Sequence, residues 1–190
     1  MARSGDGRAE AVKLLRTIRL DPSDTFVFER AAEPREWAVS GAFAFMNANP
    51  DTMEGKARSA FRSGFLGVDT LGRSTLVQIV EASEADRVAV IDTLAQRLVE
   101  HFGAPHLAAA RTAAEEELAF AASLCDHPLD RLVAVHRTFD DGAVHETFRT
   151  LRPREGPRPL RAFSFLDVEG EEETTEERVD LAAMAQGDRT

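Results

Sequence analysis

The chain contains no tyrosine, one tryptophan and one cysteine among its 190 residues. A lone thiol, Cys125, excludes an internal disulfide and suits a reducing compartment. No apolar run approaches the roughly 18 residues a membrane span needs. The first residues lack the apolar centre and small-residue cleavage site of a secretory signal. A soluble, cytoplasmic protein is therefore expected, with no membrane partner.

Several motif classes are also missing. There is no Gly-x-Gly-x-x-Gly and no Gly-Lys-Ser/Thr to cradle a phosphate, and no Gly-x-Ser-x-Gly nucleophile turn. No Cys-x-x-Cys, His-Glu-x-x-His or Glu-x-x-His offers a strong metal spacing. No internal repeat is visible. The net charge of −10 is uneven: Asp167 to Thr190 holds nine Asp/Glu and two Arg, net −7, which leaves −3 for the first 166 residues. Without clustered Lys/Arg, nucleic-acid binding is disfavoured.

Most clearly patterned is the stretch Leu132 to Leu151. Two alternating runs flank Asp141-Gly142, and Asp-Gly suits a type I′ turn because both central residues need positive φ. With that two-residue loop, Phe139 faces Val144, Arg137 faces Glu146 and Val135 faces Phe148. One face then carries Val133, Val135, Phe139, Val144 and Phe148 around an Arg137–Glu146 pair. On the other face His136 and His145 lie on a cross-strand diagonal, roughly 7–8 Å apart at Cα.

Upstream, residues 1–11 read as a flexible lead-in, and the native start is suspected at position 12. Val12–Leu20 alternates as a first strand, and Asp21-Pro22-Ser23-Asp24 is a turn. The runs Thr25–Arg30 and Glu36–Phe45 read as a second hairpin joined by a longer loop, with Trp37, Val39, Phe43 and Phe45 on one face. These aromatics suit a core better than a base-stacking platform. Asn49-Pro50 opens a helix with stripe Met53, Ala57, Ala60 and Phe61, closed by Gly64. Residues 65–73 are apolar but broken by glycines, a short strand or a packed loop, and 74–81 is a strand. A helix follows from Ser83 to Phe102, with Ser83 and Asp86 resembling a capping box. A second runs from about His106 to Leu124, with Leu107, Ala110, Ala114, Leu118, Ala121 and Cys125 on one stripe. Beyond Leu151 a Pro/Arg-rich linker leads to Ala162–Val168, a last strand or docking segment, and then to an acidic end with a short amphipathic stretch from Glu176 to Ala185.

The expected architecture is α+β: a mainly antiparallel sheet of about five to seven strands with an αα-hairpin on one face and an acidic C-terminal tail. The expected division is a lead-in (1–11), a single α+β domain (12–151), and a Pro/Arg linker with acidic tail (152–190).

Candidate metal ligands are His136, His145, Glu146, Cys125 and His127. The plain structural alternative makes Cys125 a buried small hydrophobe, His127 a residue near a helix C-terminus, and the strand histidines half-exposed. Since no strong ligand spacing supports the metal, the structural alternative is preferred, and no cofactor and no catalytic residue are assigned. The run Glu115-Glu116-Glu117 reads as a solvated helix face, and Ser40-Gly41 as an ordinary structural dipeptide. Partner contacts are sought in the tail, at Phe163, Phe165 and Val179.

The segments Lys13–Phe28, Trp37–Phe43, Phe61–Phe65 and His136–Phe139 together resemble a small uncharacterised, domain-of-unknown-function family of alphaproteobacterial proteins. The resemblance runs from about residue 12 to the tail. It defines no catalytic residues, and it implies a maturation or subunit role beside redox metalloenzymes. The expected function is a non-enzymatic cytoplasmic accessory or interaction protein, tied to assembly of such an enzyme. A protein partner is expected, and a homo-oligomer is left open. The competing reading is a metal- or small-molecule-binding enzyme using the His136/His145 face.

Overall fold

A computed structural model of the chain describes residues 12–153 and 166–168. Strand β1 (Val12–Ile18) leads to a short helix α1 (Ser23–Val27), β2 (Trp37–Val39), helix α2 (Gly55–Ser63) and strands β3 (Phe65–Gly67), β4 (Arg73–Ser74) and β5 (Leu76–Ala82). Helices α3 (Glu84–His101) and α4 (Leu107–Ser123) follow, then β6 (Leu132–Asp140), β7 (Ala143–Pro153) and β8 (Leu166–Val168). The strands form one sheet in the order β4-β3-β2-β1-β5-β6-β7-β8, antiparallel at every ladder. The α+β class and the antiparallel sheet match the expectation.

Register assigns the faces. Leu15 opposes Ile79, Thr17 opposes Val77, and Val77 opposes Val133. Strand alternation then puts Val135 and Arg137 on that face, and all seven residues are buried. Helix α4 lies against it, with the Phe120 ring 5.7 Å from Phe148. On this side Phe65 of β3 comes within 6.2 Å of Phe148 of β7, although four strands separate β3 from β7 in the sheet order. The sheet therefore curls, and its concave face brings β2 and β3 against the hairpin.

The hairpin has the expected register: Phe139 opposes Val144, Arg137 opposes Glu146 and Val135 opposes Phe148. Asp141 and Gly142 both have positive φ, 49° and 77°, as the two-residue turn requires. Strand β7 continues to Pro153, two residues past the expected end of the domain, and pairs there with β8. Of the tail expectations, only residues 166–168 are described; the linker from 154, Phe163, Phe165, the segment 176–185 and Val179 lie outside the described residues, as does 1–11.

Three expectations are corrected. The run Thr25–Arg30 is not a strand: Pro22 starts the five-residue helix α1, and the Asp24 carboxylate accepts bonds from the Thr75 amide (3.2 Å) and hydroxyl (2.6 Å). A carboxylate anchored 51 residues away outweighs the β preference of Phe26-Val27-Phe28. The Trp37–Phe45 run is not one strand either. It stops at Val39, Gly41 turns left-handed (φ 70°), and Ala42–Phe45 forms a 3-10 turn. A Cβ at Gly41 would lie 2.4 Å from Leu66 Cβ, so both the turn and the close approach need glycine. Phe43 and Phe45 thereby part, to pack edge-on against Phe102 and Phe61. The expected second hairpin does not form, and β2 pairs with β1 and β3 instead. Finally, Asn49 caps only the 3-10 turn Pro50–Thr52; α2 begins at Gly55, and of its expected stripe only Phe61 is buried.

The two long helices are closest to expectation. Ser83 and Asp86 form a reciprocal capping box on α3. On α4, Ala110, Ala114, Leu118, Ala121 and the following Cys125 are buried, while Leu107 is exposed. Helices α3 and α4 pack together and are joined by an Arg111–Asp92 ion pair.

Candidate functional site

Where the curled sheet meets itself, a charged node is buried among apolar side chains. Arg137 on β6 is 1% exposed. Its Nε donates to Glu146 Oε1 at 2.7 Å, across the hairpin. Nη1 donates to the carbonyls of Phe61 (3.0 Å) and Gly64 (2.9 Å), at the end of α2 and the approach to β3. Nη2 donates to the Ser40 carbonyl (2.5 Å) and hydroxyl (3.1 Å), just beyond β2. These five bonds use all five guanidinium N–H groups. The Ser40 hydroxyl in turn donates to Glu146 Oε1.

A second guanidinium stands beside the first. Arg73 of β4 reaches the carbonyls of Gly41 and Gly64 at 3.4 and 3.2 Å and lies 4.6 Å over the Phe45 ring. Burial, with Arg137 adding repulsion, lowers the Arg73 pKa to about 9. Burial also lowers that of Arg137, and Glu146 opposes the shift.

Glu117 of α4 completes the cluster. Burial first and the Glu146 charge second push its carboxyl up to about 7, against the pull of the Gly41 N–H and of Arg137. Its Oε2 is buried with no hydrogen-bond partner among the described residues. Three of the four ionisable side chains divide into two roles. Arg137 and Glu146 are mutually satisfied, and Glu117 is the group poised to hold or release a proton near neutrality. Perturbed carboxyls of this kind concentrate at functional sites, though structural ion networks shift them too.

Residues 12–167 match the model of a family described as a family of unknown function, DUF6505. The chain belongs to DUF6505. No curated protein and no solved structure matches it. The matched span begins with β1 and ends inside β8, so among the described residues it takes in every helix and all or part of every strand.

In this DUF6505 chain the residues proposed from sequence as metal ligands are dispersed. His136 and His145 sit diagonally on the outer hairpin face, both exposed. Glu146 faces the opposite side and is bound to Arg137 and Ser40. Cys125 is buried, its thiol pushed up to about 12 by burial. His127 is exposed, and its carbonyl accepts from Lys13 Nζ at 2.7 Å. Among the described residues no group of three or more His, Cys, Asp or Glu is placed to hold a metal ion.

Sequence reasoning found the Arg137–Glu146 pair but missed Ser40, Arg73 and Glu117. A signal for Glu117 existed: it lies three residues after Ala114 and beside Leu118, at the border of the apolar stripe, unlike the exposed Glu115 and Glu116. Ser40 and Arg73 carried none, because only the curl of the sheet brings them to the node.

A second buried ion was also missed. Glu36, 6% exposed, accepts the Glu33 amide (2.8 Å), the Asp69 and Thr70 amides (both 2.9 Å) and the Thr70 hydroxyl (2.6 Å). Asp69 and Thr70 belong to the turn between β3 and β4, which lines an open depression of about 480 Å³ with Arg30, Glu33, Arg97 and His101. That depression is lined by side chains of both signs.

Proposed function

We propose that this DUF6505 protein is a non-enzymatic cytoplasmic accessory protein that works by binding another protein. The observation carrying this reading is the half-covered inner face of the hairpin. Val133, Val135 and Arg137 are buried, whereas Phe139 near the tip and Phe148 opposite Val135 are half-buried and Val144 is exposed. Phe120 of α4, beside Phe148, is 40% exposed. We read α3 and α4 as an αα-hairpin that leaves these side chains partly uncovered. Apolar side chains left partly open along one face suit a protein contact better than a solvated edge. The guanidinium of Arg137 supports the same reading, because its donors are spent on the fold and leave none for a substrate. The partner class, a redox metalloenzyme in assembly, comes from the family resemblance described above.

Affinity purification of the full chain from its native cell, followed by mass spectrometry, tests this. A stoichiometric protein partner, lost when Val144 and Phe120 are changed to serine, is the expected result. Turnover of a small molecule by the isolated chain would overturn it. A second reading, metal binding at the outer hairpin face, draws on the exposed diagonal of His136 and His145. Stoichiometric zinc or iron in the purified protein, lost in a His136→Ala, His145→Ala double variant, would replace the accessory reading.

A further inference from the structure

The turn between β3 and β4 is held from two sides. Glu36 takes the amides of Asp69 and Thr70, both at 2.9 Å. Two arginines take the carbonyls of the same two residues: Arg97 Nη2 donates to that of Asp69 at 3.0 Å, and Arg30 Nη1 to that of Thr70 at 3.1 Å. The turn is therefore a fixed wall of the depression of about 480 Å³. Leu71, half-buried in the same wall, has a positive φ of 57°. Bulky side chains rarely adopt that conformation, and such positions cluster at ligand sites.

Charge around this hollow is balanced but not paired off. Arg30 and Arg97 line it together with Glu33 and Asp69. Arg97 meets Glu100, but among the described residues Arg30, Glu33 and Asp69 make no ion pair, and neither the Glu33 nor the Asp69 carboxylate accepts a hydrogen bond. Arg97 Nε is buried without an acceptor, and native folds rarely leave a buried donor so. Opposite charges that share a hollow without meeting one another can both be met by one small ligand carrying both.

We propose that this depression binds a free aliphatic α-amino acid. Its carboxylate lies toward Arg30 and Arg97, its ammonium toward Glu33 and Asp69, and its side chain against Leu71 and Ala31. A lone anion would face two carboxylates and a lone cation two guanidinia, so the set favours a zwitterion over either. The volume falls within the range of small-ligand clefts. The proposal is independent of the interaction reading, since neither Val144 nor Phe120 lines this hollow.

The test titrates the isotope-labelled full chain with L-leucine near neutral pH and follows the backbone amides by NMR. Saturable 1:1 binding with a Kd below about 1 mM is expected, with the shifts concentrated at Ala31, Thr70 and Leu71. Blocked ligands separate the two charges. N-acetyl-leucine lacks the ammonium and stands for the C-terminus of a protein; leucine amide lacks the carboxylate and stands for an N-terminus. Each should bind at least about tenfold more weakly than leucine. Arg30→Gln should weaken leucine at least about fivefold yet leave leucine amide within about twofold, because the amide offers that guanidinium no carboxylate. Glu33→Gln should weaken leucine and spare N-acetyl-leucine. Absence of saturation by about 10 mM leucine overturns the proposal. So does equal binding of either blocked ligand, which would make a chain terminus the occupant, and so does an Arg30→Gln loss of the same size for leucine and leucine amide. Binding without turnover leaves the interaction reading intact, and its absence leaves that reading equally untouched.

Discussion

Arg137 and Glu36 are both charged and both buried, yet they are satisfied in opposite ways. Arg137 meets one true counter-ion, Glu146, and spends its remaining donors on carbonyls and a hydroxyl from residues 40, 61 and 64. Glu36 is held by three backbone amides and one hydroxyl, all from its own loop and the turn between β3 and β4. A cradle of N–H dipoles can hold a carboxylate without a cation, since several partial charges point at it together. The first arrangement ties distant parts of the curled sheet to one another, and the second shapes a turn. Gly67 belongs to the second: a Cβ there would come within 2.4 Å of the Glu36 carboxyl carbon.

The largest expected break is Arg137→Met. It leaves Glu146 and the carbonyls at Ser40, Phe61 and Gly64 buried without their donor, and breaking one partner of a buried pair costs about 3–5 kcal/mol. Urea unfolding monitored by circular dichroism measures it, and a loss below about 1 kcal/mol would show that the node is not what holds the curl.

Glu36→Gln comes next, at about 1–3 kcal/mol, because an amide NH₂ must face backbone donors that expected an acceptor. Its effect should be local. Hydrogen exchange should quicken at the Asp69 and Thr70 amides and stay unchanged in β6 and β7; uniform quickening would erase the contrast between the two ions.

A pH titration sharpens the comparison from the Arg137 side. The Glu117 carboxyl is raised from 4.5 to about 7, so folding favours its neutral form. Its contribution is fully present below pH 4.5 and is lost as pH rises through about 7. Allowing for partial exposure, this group should lower stability by on the order of 1–2 kcal/mol between pH 5 and 8. Glu117→Gln should remove that component, so wild type and variant that decline in parallel would place the ionisation elsewhere.

The smallest effect belongs to the exposed histidines. The His136→Ala, His145→Ala double variant should stay within about 0.5 kcal/mol of wild type by thermal unfolding.

Much of this fold could be read from local pattern. Asp141-Gly142 and the spacing of Phe139 and Phe148 set the hairpin register, and Ser83 with Asp86 marked the start of α3, because turns and caps are chosen by neighbouring residues. The failures lie where distant groups decide. Asp24 finds Thr75, and Gly41 turns because Leu66 leaves no room, so alternation alone misjudged both runs. The candidate site divides the same way. Arg137–Glu146 was visible as a cross-strand pair on an apolar face, which is itself a sign of a buried ion. Its partners from β2, α2 and β4 were not visible, since nothing in their sequences points at residue 137.

The reach of Arg137 also bears on the order in which the chain acquires its structure. Its bonds to Gly64, Phe61 and Ser40 close loops of 73, 76 and 97 residues. The hairpin can form without them, but the clasp needs β2, α2 and β6 already assembled, and contacts across such separations are reached slowly. Arg137→Met should then accelerate unfolding while leaving the folding limb of a stopped-flow chevron almost unchanged. The clasp would act as a latch set last, one that lengthens the lifetime of the finished protein more than it hastens its making.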